Sequence, residues 1–180
     1  MENLQACGMM GDPTIRLCEP LERLKKEHGP LRTQMDKIYA KSLEIEEGDL
    51  ETGRLIDCMF ELREKVVQFV NELEPHSERE EGVLFPMMTN YIGKETGPIA
   101  VMEYEHEQAK AHLNLFLKET EGIRPTLTHQ NWIQMLNLYN KAYHILKEHF
   151  MKEEQILFPM AERLLNTEEK NSLLAKIESI

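Results

Sequence analysis

The chain has 180 residues, enough for one domain with a full hydrophobic core, and a composition of 41% hydrophobic and 29% charged residues excludes a fibrous or disordered polymer. Its 21 basic and 32 acidic residues give a net charge of −11, the wrong sign for a phosphate-binding surface, so nucleic acid is not an expected partner. The sequence has no apolar run long enough to span a bilayer and no signal-peptide pattern at Met1-Glu2-Asn3-Leu4, and three cysteines (Cys7, Cys18, Cys58) cannot close a full disulfide framework. A cytoplasmic protein without a membrane partner is expected.

Met1 to Asp12 carry no apolar stripe, and residues 1–18 are read as a flexible leader, with residues 19–180 forming the domain. From Pro20 to Tyr39 the residues Leu21, Leu24, Leu31, Met35 and Ile38 mark one face of a first helix. A Gly48-Asp49 turn leads to a second helix, with Leu55, Met59, Leu62, Val66, Phe69, Leu73, Val83 and Leu84 on its stripe. Pro75 predicts a kink or break in it, and Pro86 predicts its end. Gly97-Pro98 opens a third helix through Met102, Ala109, Leu113 and Phe116, and Gly122 with Pro125 marks a loop. The fourth helix starts near Thr126 to Thr128 and runs through Trp132, Leu136, Ala142, Leu146 and Leu157 to Pro159, with a short tail helix after Thr167. No two-residue alternation predicts a strand. The expected fold is all-α, an up-down-up-down four-helix bundle with a short C-terminal helix.

The second and fourth helices share a motif. His76-x3-Glu80-x3-Leu84-Phe85-Pro86 repeats as His149-x3-Glu153-x3-Leu157-Phe158-Pro159, and Glu27-His28 repeats as Glu105-His106. The offsets are 73 and 78 residues, so the bundle reads as a duplicated helical hairpin. A spacing of four stacks each His over its Glu on one helical face, and in both cases that face carries the apolar stripe. His28 and His106 lie on the stripes of their own helices. Burying two carboxylates in an apolar core without partners costs on the order of several kcal/mol each, and no Lys or Arg shares those stripes. A metal supplies the missing charge. Imidazole with carboxylate suits iron, with manganese and zinc as second choices, because the cysteines that structural zinc favours lie away from the motifs. Two bridging glutamates would hold a pair of ions about 3.5–4 Å apart, with positions left for an oxo or hydroxo bridge and for a small ligand.

As a set, these residues resemble the hemerythrin-like, or HHE cation-binding, domains over about Pro20 to Leu165. That resemblance implies a non-haem di-iron centre held by His28, His76, Glu80, His106, His149 and Glu153. It also implies binding or reduction of O2, NO or peroxide, with an electron donor or an iron-centre client protein as partner. Oxygen-carrying hemerythrins differ in having a second histidine four residues after the one on the third helix and an aspartate as last ligand. Lys110 and Glu153 stand at those positions, and the pattern is closer to the bacterial branch associated with nitrosative and oxidative stress and iron–sulfur repair. A sensor or binding module without turnover, and a metal-free helical interaction protein, are the competing readings. His112 and His129 are expected at solvent or helix ends, His144 in a structural or supporting role, and Glu27, Glu81 and Glu105 in solvent. Tyr39, Tyr104 and Tyr143 are read as packing residues that could also reach a bound oxygen species.

Overall fold

The computed structural model describes residues 15–48, 50–123 and 127–180. Asp49 and Pro125, expected in turns, Thr126, expected at a helix start, and Cys7 with most of the expected leader lie outside them. Among the described residues the chain is all-α, without strands. Helix α1 spans Glu19–Glu47, α2 Thr52–Arg79, α3 Phe85–Ile92, α4 Pro98–Glu119, α5 His129–Lys152, α6 Phe158–Leu164 and α7 Thr167–Ile177. The long helices α1, α2, α4 and α5 form the bundle, and α7 packs on α1. No helix of the described residues is long and apolar enough to cross a membrane.

Each long helix buries the stripe that its sequence marks. α1 runs well past Tyr39, since Ser42 and Ile45 continue its buried face. At the start of α5, the Thr128 side chain accepts from the Asn131 backbone N–H, and the Asn131 side chain accepts from that of Thr128, a reciprocal cap. Gly93 and Gly97 adopt φ of 76° and 105°, a conformation open to glycine that lets the chain turn from α3 into α4. Ile15 packs against the core and Leu17 is buried, while the Cys18 backbone N–H donates to Glu162 Oε2 at 2.6 Å. Residues 15–18 of the expected leader therefore lie on the bundle.

Of the kink or break expected at Pro75, no break occurs, and the helix ends expected at Pro86 and Pro159 do not occur. α2 runs unbroken through Pro75, and α1 through Pro30. Each proline removes the donor to the carbonyl four residues earlier, on Asn71 or Lys26, and both of those residues are exposed. Nor do the Leu-Phe-Pro repeats end their helices. Residues Glu80–Leu84 and Glu153–Leu157 form single π turns, after which the helix continues as α3 and α6. The wider turn comes just before Pro86 and Pro159, where an α turn would press the ring against the carbonyl of Gly82 or Gln155. Each π turn begins on one of the two motif glutamates.

The core has two apolar parts. One contains Met35, Phe69, Phe116, Leu136 and Tyr139, and the other Leu21, Leu84, Met102, Phe158 and Leu173. Leu24 and Leu31 belong to different parts, and His28 lies between them in the chain, fully buried. The polar layer that divides the core is the candidate site.

Candidate metal centre

Six side chains meet in this layer: His28 from α1, His76 from α2, His106 from α4, His149 from α5, and Glu80 and Glu153 from the two π turns. All are at most 3% exposed. They form two groups of four, His28 with His76, Glu80 and Glu153, and His106 with His149, Glu80 and Glu153, the donor atoms of each group lying within 4.8 Å of one another. Both glutamates belong to both groups. Glu153 directs Oε2 to His28 Nε2 at 3.3 Å and Oε1 to His149 Nε2 at 3.1 Å. Glu80 Oε2 lies 3.4 Å from His76 Nε2 and 3.7 Å from His106 Nε2.

None of the four glutamate oxygens makes a hydrogen bond. Leaving buried carboxylates unpartnered costs several kcal/mol per ion on the order-of-magnitude scale for desolvated charge. The Nε2 atoms are also crowded, 3.2 Å apart in the His28–His76 pair and 2.6 Å in the His106–His149 pair. These are donor atoms gathered without acceptable partners of their own, and a pair of cations would satisfy them together. Nitrogen and oxygen donors in this ratio fit a di-iron centre.

The outer ring nitrogens explain why the inner ones point inward. His28 Nδ1 lies 2.8 Å from Glu154 Oε1, His76 Nδ1 2.9 Å from Glu27 Oε2, His106 Nδ1 2.5 Å from Glu81 Oε1, and His149 Nδ1 3.1 Å from Glu105 Oε2. A carboxylate can only accept, so each Nδ1–H donates and the Nε2 lone pair is left for a cation. Each glutamate is in turn held by a cation. Arg32 reaches Glu154 and Lys110 reaches Glu81, both at 2.6 Å, Arg79 reaches Glu27 at 3.3 Å, and Lys152 pairs with Glu105. The same duplication relates all of these: Glu27 to Glu105, Arg32 to Lys110, Arg79 to Lys152, and Glu81 to Glu154.

The electrostatics follow this arrangement. Burial and the neighbouring charge of Glu153 push the Glu80 carboxyl well above the usual carboxylate range. Burial acts on Glu153 in the same direction, but His149 and His28 outweigh it and hold this carboxyl low. Burial lowers His76 and His106. His149 is raised to about 9, since Glu153 and Glu105 overcome its burial. Hydrogen bonding to His106 holds Glu81 down at about 2.

The expectation for three glutamates needs correction. Glu27, Glu81 and Glu105 are not solvated bystanders, since each orients a histidine. Their position 100° around their own helix does keep them from the inner donor atoms, but it aims them at the outer nitrogen of a ring on a neighbouring helix. Glu154 was missed for the same reason, although its place one residue after Glu153, repeating Glu81 after Glu80, was a readable signal. His144 is exposed and lies 3.4 Å from the Tyr39 hydroxyl, apart from the six-residue layer, while His129 is exposed and His112 half-buried. Tyr39 stacks on Tyr143, whose hydroxyl donates to Asp36 at 2.8 Å, and Tyr104 is exposed.

Comparison with known proteins agrees with this geometry. Residues 19–169 match the family model described as hemerythrin HHE cation binding domain. Over 92 residues, half of this chain, the sequence is 37% identical to proteins named iron-sulfur cluster repair protein YtfE from Salmonella schwarzengrund (strain CVM19633), Salmonella newport (strain SL254) and Salmonella heidelberg (strain SL476). The match spans 42% of the length of those relatives. With the family model covering most of its length, the chain belongs to the hemerythrin HHE cation-binding domain family.

Proposed function

We propose that residues 19–180 form a di-iron domain in which His28 and His76 hold one ion, His106 and His149 the other, and Glu80 and Glu153 bridge them. The loaded centre binds or reduces O2, NO or peroxide, in a response to nitrosative or oxidative stress or in the repair of iron centres. One observation carries the reading: four fully buried carboxylate oxygens without a hydrogen bond, set between two pairs of imidazoles whose other nitrogens are already engaged. A bound iron pair supplies Lewis acidity and electrons for a small ligand. The protein's part is to fix the donors. Glu27, Glu81, Glu105 and Glu154 hold the rings in the metal-binding tautomer, and the two apolar halves of the core keep bulk water from the layer.

The name borne by the Salmonella relatives supports the repair role, with an iron–sulfur protein as client; a separate electron donor and the cytoplasm as the compartment belong to the same proposal. The test is anaerobic loading with ferrous iron, measurement of iron per chain, and absorption spectroscopy as O2, NO and peroxide are added in turn. The expected result is about two irons per chain, lost on His149→Ala, with a spectral change on ligand addition. Iron binding without any spectral response would leave a sensor module in which iron only stabilises the fold.

A further inference from the structure

Of the cations that hold the four outer carboxylates, Arg79 also reaches beyond the four long helices. Its Nη1 donates to Glu27 Oε2 at 3.3 Å, and its Nε donates to the backbone carbonyl of Ile177 at 3.2 Å. Arg23 makes a similar bridge, pairing with Glu27 Oε1 at 3.9 Å and with Glu178 Oε1 at 3.3 Å. Ile177 is the last residue of α7 and Glu178 its C-cap. Two arginines thus join the carboxylate that orients His76 to the end of the tail helix.

Helix chemistry explains the first of these ties. The last carbonyls of a helix lack an intrahelical donor and carry the negative end of its dipole, and Arg79 supplies both a donor and a positive charge. The Arg79 side chain is 16% exposed, whereas those of Arg23 and Glu178 are 42% and 55% exposed, so the weight of the tie falls on Arg79. Apolar burial docks the helix itself: Leu173 and Ile177 are fully buried, in the core part that also holds Leu21, Val83 and Leu84. The duplication gives the other half no equivalent. Lys152 stands for Arg79 and, among the described residues, pairs with Glu105 alone. Val101 stands for Arg23 and is exposed.

We infer that Arg79 is a positioning residue through which α7 latches one of the two metal positions. While the end of α7 is docked, Arg79 holds Glu27 and Glu27 holds His76. When it detaches, the ion at His28 and His76 is bound more weakly and the ion at His106 and His149 as before. This rests on the metal-loaded reading above. The coupling is reciprocal, so filling the His28–His76 position stabilises the docked tail by the same factor.

The test uses the full chain loaded anaerobically with ferrous iron. Chelator competition gives the two stepwise affinities, and hydrogen exchange reports on the amides at the end of α7. Arg79→Met removes the guanidinium, and Leu173→Ala loosens α7 without touching Arg79. Each should weaken one ion about three- to tenfold, at or below the loss expected for an outer carboxylate itself, and leave the other within about twofold. The double variant should lose no more than the stronger single one, because both act along one path. Lys152→Met should weaken the other ion, so its loss adds to that of Leu173→Ala. Iron should slow exchange at the end of α7 in wild type, and Arg79→Met should remove this effect. Since α7 also packs on the π turn that carries Glu80, Arg79→Met, which leaves that packing in place, decides the matter together with exchange if Leu173→Ala does not fold. Undiminished affinity in Arg79→Met, additive losses in the double variant, equal weakening of both ions, or exchange at the end of α7 that is indifferent to iron would overturn the inference. A wild type that takes up no iron would instead sink the metal reading itself.

Discussion

Glu27 Oε2 accepts from His76 Nδ1 at 2.9 Å, across 49 residues of sequence and between two helices. Glu105 and His149 repeat the contact in the other half, at 3.1 Å. Such a bond fixes the tautomer and the angle of the ring, and it raises the basicity of the nitrogen that faces the ion. Replacing Glu27 or Glu105 with Gln should lower iron affinity about 10–100-fold while the far-ultraviolet spectrum stays that of a folded bundle. Titration against a chelator of known affinity measures the change. Unaltered affinity in both variants would show that these carboxylates have no role in the centre.

Glu80→Gln should have opposite effects on the two forms of the protein. In the iron-free form it removes a buried, unpartnered carboxyl whose ionisation burial and the charge of Glu153 disfavour, so urea unfolding should show equal or greater stability, by up to about 2 kcal/mol. In the presence of iron the loss of one bridging ligand should abolish the second ion. A variant destabilised in the iron-free form and normal in metal content would contradict both statements.

Iron should stabilise the wild-type fold by mass action, since the donor set exists only when four helices are assembled. At a free metal concentration 100 times the dissociation constant the gain is about 2.7 kcal/mol. Thermal unfolding with and without iron, under anaerobic conditions, should show a shift that His149→Ala removes. Equal melting temperatures for loaded and unloaded wild type would count against the proposed centre.

Tyr143 gives a pH dependence away from the metal layer. Burial, the bond to Asp36 and the charge of that carboxylate push its phenol up to about 12, from an ordinary value of 10.0. The native state therefore keeps its proton where the unfolded chain has lost it. This contribution to stability is complete below about pH 10 and declines as pH rises toward 12. The stability gap between wild type and Tyr143→Phe, from urea unfolding at a series of pH values, should narrow over that interval. A gap constant to pH 12 would exclude this assignment.

Truncating the aromatic core should be costly. Phe69 and Phe116 are fully buried in the apolar part that contains Tyr139. Phe69→Ala should lose about 3–5 kcal/mol by chemical denaturation, because the cavity cannot collapse between four packed helices. A loss below about 1 kcal/mol would mean that the core relaxes around the gap.

Much of this protein is determined locally. Apolar residues at three- and four-residue steps set the helices, and His76 with Glu80, His149 with Glu153, His28 and His106 fall on the buried faces whatever the details of packing, because a side chain's direction on a helix depends only on its spacing. The duplication then shows that these faces come in matched pairs. Contacts between helices obey no such rule. Whether Glu27 meets His76, whether the Phe150 ring stacks on His28, and whether Arg32 lies over that ring depend on the distance and rotation of neighbouring helices. The effect of Pro75 and Pro86 was not legible either, since α2 continues through the first and a π turn precedes the second where a break or an end was expected. The sequence by itself determined the helical fold and the placing of six histidine and glutamate side chains on buried helix faces, through periodicity. Only the assembled bundle decided which carboxylates orient the histidines, because those contacts belong to the packing between helices.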